Sequence, residues 1–240
     1  MKKASTTNKN IILLGSVLVI AAAVAIALVS GDENPRHEIN ENNFAPIEGA
    51  IANTYEAPSE ILEMKDYDTL IGDKNADLKV LVYEDYSNLY SVDLAKTLNL
   101  LMTEYNNDLA IVTRPFVQAN SSESQKAALS YLCAQEFRKG GEMRNLLLQQ
   151  SGEEILLFDY LAYAKELKIN EESFLSCLTN EEKLVKLEEL KKEAKDNLVL
   201  GAPTILVGNE MIVGARPYAD FIDSNGDAIE GLKTVIKRNL

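Results

Sequence analysis

The sequence predicts an α/β domain with an inserted block of helices, carried behind one N-terminal transmembrane helix. Three observations lead there. An apolar run, Ile11–Val29, follows a tail bearing Lys2, Lys3 and Lys9. Further on, a short apolar stretch, Lys79–Tyr83, runs into a helical pattern and then a second strand pattern, Leu109–Thr113. Beyond that, helical periodicity persists from about 121 to 200 before strand signals return.

Composition narrows the function. Of the 240 residues 46% are hydrophobic, and the net charge is −13. Such acidity excludes a nucleic-acid binder, which needs basic stripes to neutralise phosphates. It also disfavours adsorption of the domain to anionic lipid. The two cysteines, Cys133 and Cys177, are too few for a four-thiolate zinc site. The one histidine, His37, sits in a polar stretch and reads as solvated. No cofactor is expected.

Residues 1–10 read as a cytoplasmic basic tail and 11–30 as a signal-anchor. The apolar run matches a hydrocarbon core about 30 Å thick. It is long for the h-region of a cleaved signal peptide, about 7–15 residues. Its one Ala-x-Ala, Ala25–Ala27, lies inside the apolar run. The lysines before it place the N-terminus in the cytoplasm and the domain outside, in a single-pass arrangement. Residues 31–65, with Pro35, Pro46 and Pro58, read as an extended linker, and 66–240 as the folded domain.

Within the domain, Lys79–Tyr83 is a buried strand. Leu94, Leu98, Leu101 and Tyr105 then share one helical face in a helix beginning near Val92. Leu109–Thr113 is a strand ending before Pro115, and the strand–helix–strand order implies a parallel pair. Ser122-x-x-Gln125 reads as a capping box, with Gly140-Gly141 closing that helix. Further helices are expected over Glu142–Gln149, Glu154–Leu167, from Asn170, and from Asn180 through Leu198. In the last of these Leu184, Leu187, Leu190, Ala194 and Leu198 face inward, with Glu182–Lys186 and Glu188–Lys192 paired on the wet side. Thr204–Val207 and Met211–Val213 form a hairpin around Gly208-Asn209-Glu210. Ser224-Asn225-Gly226 is a turn, and Asp227-x-x-Glu230 caps a final helix.

The stretch Tyr83–Ser91 joins the first strand to its helix, a place where helix N–H groups favour an anion or thiolate. Ile71–Ala76, Val82–Tyr86, Gly201-Ala202-Pro203-Thr204, Val207-Gly208-Asn209 and Gly214-Ala215 together resemble the thioredoxin fold with a helical insertion. The likeness is to DsbA-type thiol–disulfide oxidoreductases. It implies a cis-proline loop at Pro203 that can hold an extended segment by strand addition. It also implies that the family's Cys-x-x-Cys falls on Asn88-Leu89-Tyr90-Ser91, so Asn88 and Ser91 replace the two thiols. Neither an amide nor an unactivated hydroxyl does the work of a low-pKa thiolate.

Tyr86, Leu89, Tyr90, Ala202 and Pro203 are therefore expected to line a binding surface for a peptide or partner protein outside the cytoplasm, with Tyr83 as a further candidate. The rival reading for these tyrosines is ordinary packing, and for Ala202 and Pro203 that they only preserve the fold. Asp85 is expected to order the turn. Cys133 and Cys177, in separate helices among apolar neighbours, are expected to pair in an oxidising compartment. Closing a loop of about 44 residues would stabilise by roughly 4 kcal/mol. Two buried free thiols, or a relocated redox pair, remain as alternatives for the cysteines, and disulfide formation through that pair or a partner's thiol as the alternative function.

Overall fold

The structure is a computed structural model and describes residues 47–58 and 63–240. The apolar run Ile11–Val29, His37 and the first part of the linker lie outside the described residues. Among the described residues no helix is long and apolar enough to cross a membrane.

Eight strands and seven α-helices are described. The strands are β1 (Tyr55–Glu56), β2 (Thr69–Gly72), β3 (Leu78–Glu84), β4 (Leu109–Pro115), β5 (Thr204–Val207), β6 (Glu210–Val213), β7 (Phe221–Ile222) and β8 (Ala228–Ile229). The helices are α1 (Leu89–Tyr105), α2 (Ser122–Glu136), α3 (Gly140–Gln149), α4 (Leu157–Glu166), α5 (Glu171–Leu178), α6 (Glu181–Asp196) and α7 (Leu232–Asn239). The first six strands form one sheet in the order β1-β6-β5-β3-β4-β2, and β7 and β8 form a small hairpin. β3 and β4 are parallel, joined through α1, with Val80 opposite Ile111. β5 runs antiparallel to β3, with Val82 opposite Ile205.

Alternation along the central strands explains the layering. Val80, Val82, Ile111 and Ile205 face one side, where Leu94, Leu98 and Leu101 of α1 and Val235 and Ile236 of α7 cover them. Leu81, Tyr83, Val112 and Leu206 face the other, under Ala194 and Val199. A separate core fills the helical block around Tyr131, Met143, Leu147 and Phe174. Cys133 of α2 is disulfide-bonded to Cys177 of α5 in that core, the pairing expected from the sequence.

Several element boundaries differ from expectation. α2 is capped by Ser121, whose hydroxyl accepts from Ser124 N at 3.1 Å, not by Ser122. Gly140-Gly141 opens α3 instead of ending α2; Arg138, at φ 58°, makes the break. β4 runs through Arg114 and Pro115, because Pro115 pairs with Glu84 at the end of the ladder and Phe116 N donates to Glu84 O. Asp227 does not cap α7. Ala228 and Ile229 pair with Ile222 and Phe221, and Gly231 is the N-cap. In α6 Leu187, Leu190 and Ala194 are buried, but Leu184 and Leu198 are exposed; Leu198 lies beyond the helix end at φ 61°. The surface pairs on α6 are Lys186–Glu189, Lys191–Glu188 and Lys192–Asp196 instead of the expected ones.

Residues 47–58, read as linker from sequence, dock on the domain. β1 adds to the edge of β6, with Tyr55 opposite Met211. Ile51 bridges Ile229. The buried Arg216 guanidinium donates to the carbonyls of Ala52, Asn53 and Glu230. Asp220 accepts from Ile47 N at 2.9 Å and from Gly231 N and Thr234 Oγ1 at 2.7 Å.

Two predictions arise from this packing. Replacing both cysteines with serine should lower stability by up to about 4 kcal/mol, read as a shift in urea midpoint. Asp220 and Glu210 both titrate below their ordinary values of 3.8 and 4.5. Partial burial alone would raise them, but hydrogen bonds to Asp220 and the Arg238, Asn239 and Thr54 contacts to Glu210 outweigh it. Because the folded pKa is depressed, their stabilisation is complete above the ordinary carboxylate range and is lost as pH falls through the folded value. Asp220→Ala should therefore destabilise more at pH 7 than at pH 3. Equal destabilisation at both pH values would contradict this.

Candidate functional site

The site is built where β3 feeds α1. The chain leaves β3 at Glu84 and turns through Asp85. The Asp85 carboxylate accepts from Ser87 N at 2.9 Å and Ser87 Oγ at 2.7 Å, and Asn88 N donates to Asp85 O at 3.0 Å. Asp85 thus orders the turn, as its position suggests. Asn88 is the N-cap of α1, its Oδ1 accepting from Tyr90 N at 2.8 Å. The helix consequently starts at Leu89, a full turn before the apolar periodicity suggests. Ser91 is fully buried, and its Oγ accepts from Asp85 N at 3.2 Å.

Opposite the turn, the Ala202–Pro203 peptide is cis. Gly214 N donates to Pro203 O at 2.8 Å, and Thr204 Oγ1 to Gly201 O at 2.8 Å, which holds the loop against β6. The turn and the loop meet: Asn88 Nδ2 donates to Ala202 O at 3.3 Å. Sequence spacing cannot show this contact, which joins positions 114 residues apart.

The structure sorts the expected binding residues. Leu89 and Tyr90 are 59% and 67% exposed and line an open cleft of about 560 Å³ with Asp85, Ser87, Asp93 and Gly152. Gly152, at φ 91°, lets the loop after α3 close on Leu89; a Cβ there would come within 2.9 Å of Leu89 Cδ2. Leu200, just before the loop, is 78% exposed. Tyr86 does not belong to this surface. It is buried against Tyr131, ring centroids 5.1 Å apart, and among the described residues its hydroxyl has no hydrogen-bond partner. Tyr83 is also buried, donating to Glu193 Oε1 at 2.8 Å, and burial pushes its phenol well above the ordinary range. Alternation places Tyr83 in the core, a signal available in the sequence.

Two buried arginines, both missed by sequence reasoning, hold the site from below. Arg144 of α3 forms a two-pronged pair with Glu84, Nε and Nη2 each 2.5 Å from a carboxylate oxygen. Arg114 of β4 grips Asp68 at 2.8 and 2.7 Å and reaches Glu193 of α6 at 2.8 Å. The only available hint was a charged residue at the end of an apolar strand. Among the described residues no group of three or more His, Cys, Asp or Glu could hold a metal.

This is the geometry of a thioredoxin-fold active turn facing its cis-proline loop, beside a helical insertion. The chain belongs to the thioredoxin family, whose pattern it matches over residues 64–223. Oxidised BdbD from Bacillus subtilis is similar at 16% identity, over 78% of this chain and 97% of that one, with a TM-score of 0.60. A periplasmic thioredoxin-like protein from Salmonella enterica serovar Typhimurium is similar at 18% identity, over 74% and 92%, with a TM-score of 0.57. The thiol-disulfide exchange protein α-DsbA2 from Wolbachia pipientis is similar at 21% identity, over 62% and 80%, with a TM-score of 0.53. At these identities the likeness shows the fold alone. No curated protein matches the sequence.

Removing one partner of the Glu84–Arg144 pair strands a buried charge. Arg144→Met should cost about 3–5 kcal/mol, and the double variant Glu84→Gln/Arg144→Met should recover much of it. Equilibrium urea unfolding of the three proteins checks this. Additive losses would show that the two side chains are not coupled.

Proposed function

We propose that this protein is a membrane-tethered, extracytoplasmic DsbA-like domain that performs no thiol exchange at its active turn and binds an extended peptide or partner protein at the Pro203 loop. The observation that carries the reading is the Asn88–Ala202 hydrogen bond. The residue at the family's nucleophile position serves to cap α1 and to tie the turn to the loop. An amide cannot attack a disulfide, yet the loop keeps the cis-proline shape that suits strand addition. Pro203 itself is buried, but Leu89 and Tyr90 on the turn and Leu200 just before the loop are exposed and offer apolar contact to an extended chain.

The extracytoplasmic, single-pass placement is supported by the basic tail and the apolar run Ile11–Val29. The Cys133–Cys177 bond and the periplasmic Salmonella neighbour agree with it. A second reading, thiol–disulfide exchange through Cys133 and Cys177, is disfavoured by their burial at 0% and 7% exposure.

Two measurements test the reading together. A fluorescently labelled, permanently unfolded polypeptide should bind the full chain, and Leu89→Asp/Tyr90→Asp should weaken that binding about tenfold or more. Insulin-reduction turnover should be absent in the natural sequence and appear in Asn88→Cys/Ser91→Cys. Turnover by the natural sequence that disappears in Cys133→Ser/Cys177→Ser would establish the second reading instead. Absence of polypeptide binding would remove the binding half of the proposal.

A further inference from the structure

A second recess, away from the turn and the Pro203 loop, lies in the helical block. It encloses about 340 Å³ between α2, α5 and the segment that leads into α4. Leu129, Tyr160, Leu175 and Leu178 are among its walls, and Leu156 and Leu157 on its edge are 46% and 56% exposed. That volume falls in the range of small-molecule sites, and the largely apolar lining is their usual chemistry. Ser130 also lines it; the residue is 1% exposed, and its buried hydroxyl has no hydrogen-bond partner among the described residues. Such an unmet polar group in an apolar recess is uncommon in a finished core.

The walls are held apart by covalent structure. Ser130 lies one helical turn before Cys133 on α2, and Leu178 directly follows Cys177 on α5. The disulfide therefore fixes the spacing of the two helices on either side of the recess. A preformed site loses less on binding than one that must be ordered.

The charges lining the recess are Glu123, Glu154 and Lys126, a net negative set. Glu123 accepts from Ser122 Oγ at 3.0 Å. None of the three is in a salt bridge among the described residues, although hydrogen bonds at the α2 N-terminus and the nearby Lys126 charge hold the Glu123 carboxyl below its ordinary range.

We propose that this recess binds a small amphiphilic cation, its aromatic or alkyl body seated between α2 and α5 and its ammonium group at Glu123 and Glu154. The apolar walls supply burial and the two carboxylates set the preferred sign of charge. Lys126 opposes that preference and would lead if the ligand were an anion. The recess is bounded on three sides, which suits a free molecule of one ring system better than a flat protein surface.

The chain has no tryptophan, so an indole probe excited beyond the absorption of the ten tyrosines is read without indole background from the chain. Tryptamine, 3-methylindole and indole-3-propionate share one ring system and differ in charge. They would be titrated at low salt into the full chain in lipid nanodiscs, with empty nanodiscs as the blank. Tryptamine should give a saturable fluorescence change and bind about tenfold more tightly than indole-3-propionate. Glu123→Gln/Glu154→Gln should erase that preference while leaving 3-methylindole unchanged. Leu129→Phe, which fills the recess, should abolish binding of all three; Leu175→Phe serves as a second blocking variant should the first fail to fold. No saturable change with any probe overturns the proposal. So does a preference for indole-3-propionate, or binding that survives both blocking variants. None of these outcomes depends on the Pro203 loop, so the two proposals stand or fall separately.

Discussion

The Arg114 guanidinium is the point through which sheet and insertion are joined. It is wholly buried at the end of β4, and all five of its N–H groups are used. Two go to Asp68 just before β2, two to Tyr83 Oη and Glu193 Oε1, and one to the carbonyl of Glu63. Tyr67 and Tyr83 flank the group, its central carbon 5.6 and 5.4 Å from their ring centroids. Burial would disfavour the charge, yet the Asp68 hydrogen bonds hold its pKa above the ordinary value. A cation removed from water needs this degree of satisfaction. It draws β2, β3, β4 and α6 to one place, and the relative position of sheet and insertion depends on it.

Glu84 and Arg144 repeat the device one strand away, under the turn itself. β3 therefore ends in a buried carboxylate fixed to α3, and the chain leaves it in a set direction through Asp85. The turn conformation then rests on Asp85 and Asn88 acting as hydrogen-bonding side chains. In a thiol enzyme of this fold the exposed helix N-terminus would favour a thiolate. Here the side chain of Asn88 satisfies one of those N–H groups and reaches the carbonyl of Ala202. The apolar side chains that stay open to solvent are Leu89, Tyr90 and Leu200, with the exposed Asp93 carboxylate beside Leu89 and Tyr90 in the same cleft.

Much of the architecture was legible because it rests on local rules. The β3–α1–β4 unit and the β5–β6 hairpin followed from apolar runs and turn residues, and Asn170 and Asn180 cap the helices expected of them. The errors share a cause. Gly140-Gly141 reads as a stop, but Arg138 takes the left-handed position, so the glycines are free to start α3. Asp227 reads as a cap, but the strand pairing of Ala228 and Ile229 with β7 prevails. Residues 47–58 lack periodicity, and nothing local announces that β6 has an unpaired edge for β1 to fill. Tyr86 shows no local sign that Tyr131, from α2, lies beside it.

The sequence by itself determined the fold class, the family, the acidic character, and the presence of an amide and a hydroxyl, Asn88 and Ser91, at the turn between β3 and α1. These are carried by composition, periodicity and residue identity, which survive without coordinates. Only the tertiary structure decided that Tyr86 is core, that Glu84 and Asp68 each own an arginine, that Cys133 meets Cys177, and that Asn88 touches Ala202. Each is a contact between residues far apart in the chain. Such contacts depend on how elements pack against one another, and packing is set by the whole core, not by any window of sequence.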